Sequence, residues 1–120
     1  MGYNGITVLV VEDEVLIRMG IVESLQEEGF EVLEASNADD AIAVLNSHSE
    51  IRLMFTDINM PGSMDGLKLA TAVRDRWPPV KIIVTSGHLQ MREDALPVVG
   101  RFFSKPYDST LVVRAIREML

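Results

Sequence analysis

Short β-branched runs alternate with helix-period stretches along the whole chain, and this alternation restricts the fold more than any other feature of the sequence. Thr7 to Val11 reads Thr-Val-Leu-Val-Val, which suits a strand buried on both faces, and it stops abruptly at Glu12-Asp13-Glu14. Over residues 15–28, Ile17, Ile21 and Leu25 recur at helical spacing, and Gly29 ends the run as a C′ glycine does. Residues 30–35 give a second, more polar strand, expected nearer a sheet edge. A helix is expected over residues 37–46, with Ser36 or Asn37 as its cap, Asp39 and Asp40 in its first turn, and Ala41, Val44 and Leu45 on its apolar face.

The same order then repeats. Residues 51–56 form a third strand, ending at Asp57; the turn-rich loop 59–66 leads into a helix carrying Leu69, Val73 and Trp77, which Pro78-Pro79 terminates. Lys81 to Ser86 is a fourth buried strand closed by Gly87, and a short helix is expected over residues 90–96, before Pro97. Arg101 to Ser104 is a fifth strand, and Asp108 or Ser109 caps a final helix holding Leu111, Val112, Ala115, Ile116 and Met119. Five strands alternating with five helices imply an α/β fold with a parallel sheet and helices on both faces, because parallel neighbours require right-handed crossovers. A length of 120 residues fits one domain, residues 1–120, around a single core.

Charge and composition remove several function classes. The net charge is −7 and the eleven Lys and Arg are scattered, which argues against direct nucleic-acid binding, since phosphate backbones are held by clustered cations. Any DNA output needs another chain. The absence of cysteine excludes disulfides and thiolate metal sites, so zinc would have to rely on His48, His88 and carboxylates, and neither histidine has a metal-like partner nearby in sequence. The start, Met-Gly-Tyr-Asn-Gly-Ile, carries no basic leader, and no run approaches the roughly 20 apolar residues that span a bilayer. The expectation is a cytoplasmic chain without a membrane partner.

In open parallel sheets ligands bind at the carboxyl ends of the strands. The residues there are Glu12 and Asp13 after the first strand, Asp57 after the third, Ser86 at the end of the fourth and Lys105 after the fifth. Acids gathered without a cation repel one another, so the set makes sense around a divalent metal. All-oxygen ligation points to Mg²⁺, which is usually held by one or two carboxylates together with phosphate. Asp57 is then a nucleophile candidate, with Lys105 as the counter-charge for an incoming phosphoryl group and Ser86 as a hydroxyl donor to it. Taken singly, each residue has a plainer reading: Glu12-Asp13 as a solvated turn, Asp57 as a turn acid, Lys105-Pro106 as surface punctuation, Ser86 as a helix cap. Their shared register at strand ends is what favours chemistry.

With these residues in place, the sequence resembles the receiver domains of two-component response regulators over nearly its whole length. The resemblance rests on Glu12-Asp13 after Leu-Val-Val, Asp57-Ile-Asn-Met-Pro before Asp65-Gly66, Ser86-Gly87 after Ile-Ile-Val-Thr, and Lys105-Pro106. It implies a flavodoxin-like three-layer sandwich with strand order 2-1-3-4-5. It further implies that Asp57 takes a phosphoryl group from the phosphohistidine of a sensor histidine kinase or phosphotransfer protein. Asp13, Asp57 and the backbone carbonyl of Asn59 would ligate Mg²⁺, Glu12 would assist through water, and Lys105 would grip the phosphoryl oxygens. The switch hydroxyl would be Ser86, with Thr85 as its rival, and the aromatic switch Phe102. The Lys105-Pro106 bond would be cis. Output would pass through the surface of the fourth helix, fifth strand and last helix to a downstream effector domain or protein, or through a phosphorylation-dependent homodimer. Two departures stand out: the turn 61–66 is one residue longer than the common pattern, and the stretch from Ser86 to Lys105 is shorter, so the fourth helix is expected to be brief or irregular. Phe102 also lacks the hydroxyl of the more usual tyrosine and would rely on apolar burial alone.

Three other functions compete. A flavodoxin-like nucleotide binder needs backbone donors and hydroxyls after the first strand, where Glu12-Asp13-Glu14 would repel phosphate. An aspartate-based phosphohydrolase needs a second acid two residues beyond Asp57, and position 59 is Asn, so only slow self-dephosphorylation is expected. A receiver that serves only as a binding module would have no use for the complete set of acids, hydroxyl and lysine.

Overall fold

Branched apolar residues without polar alternation need cover on both faces, and Val8, Leu9, Val10 and Val11 are fully buried in a central strand. The computed structural model describes residues 5–120; Met1 to Asn4, within the stretch on which the expectation of no basic leader rests, lie outside the described residues. The elements run β1 (Thr7–Val11), α1 (Val15–Glu27), β2 (Glu31–Ala35), α2 (Ala38–Ser47), β3 (Ile51–Asp57), α3 (Gly66–Arg76), β4 (Lys81–Ser86), a single 3₁₀ turn (Glu93–Ala95), β5 (Arg101–Ser104) and α4 (Ser109–Met119). All neighbouring strands are parallel, in the order β2-β1-β3-β4-β5. This is the three-layer, flavodoxin-like arrangement. The more polar second strand does lie at an edge.

Alternation along the strands divides the core into two layers. On one face Val8, Val10, Phe55 and Ile83 meet Ile21, Leu25, Val112 and Ile116 of α1 and α4. On the other, Leu9, Val11, Met54 and Val84 meet Ala41, Leu45, Leu69 and Val73 of α2 and α3. The caps follow side-chain chemistry: Asn37 Oδ1 accepts from Asp40 N–H at 2.8 Å, Asp65 Oδ1 from Lys68 N–H at 2.9 Å, and Asp108 Oδ1 from Thr110 N–H at 2.8 Å. Gly29 adopts φ 93°, the left-handed turn that stops α1.

The expected helix over residues 90–96 is corrected: only the turn Glu93–Ala95 forms, so the described residues contain four α-helices instead of five. The cause lies in the return leg to β5. Leu96 is extended (φ −68°, ψ 146°), and the chain beyond it buries both Leu96 and Val98 in the layer below, which a helix through Pro97 would not allow. Gly100 then passes so close to β4 that an added Cβ would lie 2.5 Å from the Ile82 carbonyl oxygen. Among the described residues no helix is long and apolar enough to cross a membrane.

Candidate functional site

The carboxyl ends of β1, β3 and β5 bring the predicted acids and the lysine together. Glu12 continues the sheet by one bond, its N–H donating to Ala35 O at 3.0 Å, before the chain turns away. Its side chain is 1% exposed, and Oε2 accepts from Glu14 N–H at 3.1 Å, which folds the turn back on itself. Arg18, one turn into α1, donates from Nη1 to the Glu12 carbonyl at 2.8 Å and from Nε to Glu34 Oε1 at 3.1 Å. Asp57 is the last residue of β3 and 2% exposed. Lys105, anchored by its N–H to Ser86 O at 2.9 Å, places Nζ 2.8 Å from Glu12 Oε1 and 3.2 Å from Asp57 Oδ2.

One carboxylate oxygen from each of Glu12, Asp13 and Asp57 lies within 4.8 Å of the other two. Among the described residues Lys105 pairs with two of these three acids. Burial holds the Asp57 carboxyl above its ordinary range, an effect that Lys105 and the Asn59 N–H oppose and Asp13 reinforces. Burial likewise raises Glu12, against the pull of Lys105 and the Glu14 N–H. Burial alone would lower Lys105, but Glu12 and Asp57 outweigh it and hold the ammonium protonated above its ordinary range. Asp13 Oδ1 and Asp57 Oδ1 are buried without a hydrogen-bond partner. Unpartnered buried oxygens on two of three carboxylates that meet within 4.8 Å form a donor set that fits a hard, oxygen-seeking dication.

Ser86 stands beside this cluster, 1% exposed, with its hydroxyl fully engaged. Oγ donates to Asn59 Oδ1 at 2.9 Å and accepts from His88 N–H at 3.1 Å and Leu89 N–H at 3.0 Å. Its rival Thr85 pairs in register with Asp57, and Thr85 Oγ1 is buried with no partner. Phe102 is half-buried on β5 beside Val84, on the face shared by Ser86 and Ser104, and its N–H donates to Glu93 Oε2 at 3.1 Å. The Lys105-Pro106 peptide is cis.

Four features of the site escaped the sequence reading. Gly66 begins α3 so close to β3 that an added Cβ would lie 2.0 Å from the Asp57 carbonyl oxygen, and its N–H donates to Ile58 O at 2.9 Å. The Asp65-Gly66 dipeptide before a helical pattern was the available signal. Arg18 reads from sequence as a solvated helix charge. Tyr107, following the cis proline, packs edge-on against Phe55 with ring centroids 5.4 Å apart, and its buried hydroxyl has no partner. Burial, then the charges of Glu12 and Asp57, drive that phenol well above the usual range. The Asn59 side chain, as distinct from its carbonyl, also reaches Ser86.

Comparison with known proteins agrees with this geometry. The family described as response regulator receiver domain matches residues 8–117. The chain is 36% identical over 121 residues to the sensor kinase CckA of Brucella abortus, covering 95% of this chain and 12% of that protein. It is 33% identical over 117 residues to the chemotaxis protein CheY of Bacillus subtilis, covering 94% and 96% respectively. The response regulator TrrA of Thermotoga maritima, solved in complex with Mg²⁺-BeF, superposes with a TM-score of 0.85 at 30% identity, covering 96% of this chain and 99% of that one. The chain spans only 12% of CckA and 23% of the transcriptional regulatory protein HoxA of Cupriavidus necator, in contrast to nearly all of CheY. With residues 8–117 matched and the strand-end acids and lysine assembled on the sheet order that fold requires, the chain belongs to the response regulator receiver domains of two-component signalling.

Proposed function

We propose that this chain is a phosphoryl-accepting signalling switch in which Asp57 is the acceptor. A carboxylate oxygen of Asp57 forms a P–O bond as the P–N bond of a phosphohistidine breaks, and the departing imidazole nitrogen keeps the electron pair. Glu12, Asp13, Asp57 and the Asn59 carbonyl are the residues that would hold Mg²⁺, which when bound neutralises the acids and the incoming phosphoryl oxygens. Lys105 faces the same oxygens, and Ser86 (with Thr85 as the alternative hydroxyl) donates to one of them once Asp57 is modified. Movement of Ser86 makes room for Phe102 and shifts the population of the surface formed by residues 87–100, β5 and α4.

The donor is a sensor histidine kinase or phosphotransfer protein. Val15, Leu16 and Met19, left 55%, 83% and 58% exposed on α1 next to the acidic turn, supply an apolar face for it. The output is read by a downstream effector domain or protein, or by a second copy of the chain in the phosphorylated state. Residues 1–120 act as one such unit, in the cytoplasm. With Asn at position 59 in place of a second acid, no side chain there activates water, and self-dephosphorylation is slow.

The observation that carries this reading is the meeting of three carboxylates within 4.8 Å, faced by an ammonium 2.8 and 3.2 Å from two of them. Incubation with acetyl phosphate or beryllofluoride, with and without Mg²⁺, tests it by intact mass and NMR. Mg²⁺-dependent addition of one phosphoryl group is expected, and Asp57→Asn should abolish it while leaving the fold intact. Labelling that survives in Asp57→Asn would place the acceptor elsewhere.

A further inference from the structure

A serine hydroxyl has one proton to donate and two lone pairs that accept. In the unmodified chain all three capacities of Ser86 are used: the proton goes to Asn59 Oδ1, and the lone pairs take His88 N–H and Leu89 N–H. Ser86 therefore cannot donate to a phosphoryl oxygen on Asp57 without first giving up Asn59. We infer that the Asn59 side chain is a latch that competes with the phosphoryl group for the Ser86 proton and so sets how readily the chain enters its modified state. This rests on the phosphoacceptor reading of Asp57, and it gives Asn59 a role for its amide beyond that of its carbonyl.

The latch reaches beyond the two side chains. Asn59 lies two residues past Asp57 on the β3–α3 loop, whereas Ser86 ends β4 and holds the first N–H groups of the 87–100 segment. When the hydroxyl swings from Asn59 toward Asp57, the His88 and Leu89 N–H groups must follow it or lose their acceptor. Both bonds end on the same Ser86 oxygen, so a hydroxyl that keeps them as it swings carries the start of the 87–100 segment with it. Asn59 is exposed and Ser86 is 1% exposed, so the released amide finds water while the hydroxyl does not. The exchange is therefore one hydrogen bond for another, and small changes at position 59 are enough to bias it.

The test is a double-mutant cycle on the whole chain, using Asn59→Leu and Asn59→Ala against Ser86→Ala. In the metal- and ligand-free protein, urea denaturation should show Asn59 and Ser86 coupled, the Asn59→Leu effect shrinking in the Ser86→Ala background. With saturating Mg²⁺, Asn59→Leu and Asn59→Ala should each tighten apparent beryllofluoride binding by about threefold, the scale of a modest net hydrogen bond. That gain should vanish in the Ser86→Ala background, and in the free Asn59 variants the His88 and Leu89 amide resonances should move toward their beryllofluoride-bound positions. A gain of equal size with Ser86→Ala, or no gain at all, would overturn the latch while leaving the acceptor assignment standing. Failure of the unaltered chain to bind beryllofluoride with Mg²⁺ would instead overturn the acceptor reading and the latch with it.

Discussion

Lys105 Nζ sits 3.2 Å from Asp57 Oδ2 with both side chains largely shielded, 12% and 3% exposed. The same ammonium also serves Glu12. Removing one partner of a buried pair leaves the other charge without compensation and costs about 3 kcal/mol. Lys105→Met should destabilise the metal-free protein by about that amount in urea titrations. Asp57→Asn in the same background should recover part of the loss, because the stranded charge is gone. An unchanged unfolding midpoint in Lys105→Met would show that the ammonium does not balance these acids.

The cluster also sets a pH dependence. In the unfolded chain Glu12 and Asp57 titrate near their ordinary values of 4.5 and 3.8, and burial holds both higher in the folded state. The folded form therefore binds more protons in the interval between, and the stability of metal-free protein falls as pH rises from the unfolded values through the raised ones. Lys105 acts on the alkaline side: its contribution is complete below 10.5 and is lost as pH climbs through its raised folded value. Mg²⁺ prefers ionised carboxylates, so saturating metal should cancel or reverse the acid-side slope. Urea titrations in EDTA and in Mg²⁺ across the acid range, on the native chain and on a Glu12→Gln/Asp57→Asn variant, measure this contribution. A difference between the two chains that does not vary with pH in EDTA would contradict it.

Much of this arrangement was legible because parallel strands buried on both faces are continuous apolar runs that stop where the sheet stops. Thr7–Val11 and Lys81–Ser86 have the bounds expected, with Glu12-Asp13 directly after the first and Ser86 closing the second; Arg101–Ser104, a half-buried edge strand, also keeps its expected bounds, and Lys105 follows it. The caps narrowed to Asn37 and Asp108, each already one of two candidates. Residues 90–96 misled because local helical character there yields to the core's need for Leu96 and Val98 on an extended return leg. Trp77 fits the helical spacing of Leu69 and Val73, yet it is the C-cap of α3, where Pro78 already denies it helical backbone. The Arg18 clamp and the Asn59–Ser86 bond join segments that only tertiary folding brings together, and no local pattern encodes them.

Gly66 shows how closely the α3 N-terminus is set against the end of β3. Its φ is not positive, so the constraint is space: a methyl group would overlap the Asp57 carbonyl oxygen at 2.0 Å and the Ile58 Cα at 2.8 Å. Backbone cannot swing aside as a flexible side chain would. Gly66→Ala should cost about 3 kcal/mol through this overpacking, despite alanine's better helix propensity. It should also perturb the amide resonances of Asp57 and Ile58 most strongly. A neutral or stabilising effect in urea titrations would mean that α3 can retreat from β3 without penalty.

Arg18 holds the Glu12 carbonyl and Glu34 at once, and these two contacts separate in their consequences. The Glu34 contact is a surface ion pair with that partner 47% exposed, so Glu34→Gln should change stability by less than about 0.5 kcal/mol and leave metal binding alone. The carbonyl contact fixes the turn from which Glu12 and Asp13 project, and groups that orient ligating residues matter to affinity although they never touch the ion. Arg18→Met keeps most of the apolar stem and loses the donor, so Mg²⁺ affinity should fall about tenfold. Arg18→Lys retains the charge but replaces the planar fork with a single ammonium, so an intermediate loss is expected. Mg²⁺ titrations followed by NMR or calorimetry distinguish the cases. If Arg18→Met and Glu34→Gln weaken Mg²⁺ equally, long-range charge rather than the carbonyl clamp governs the site.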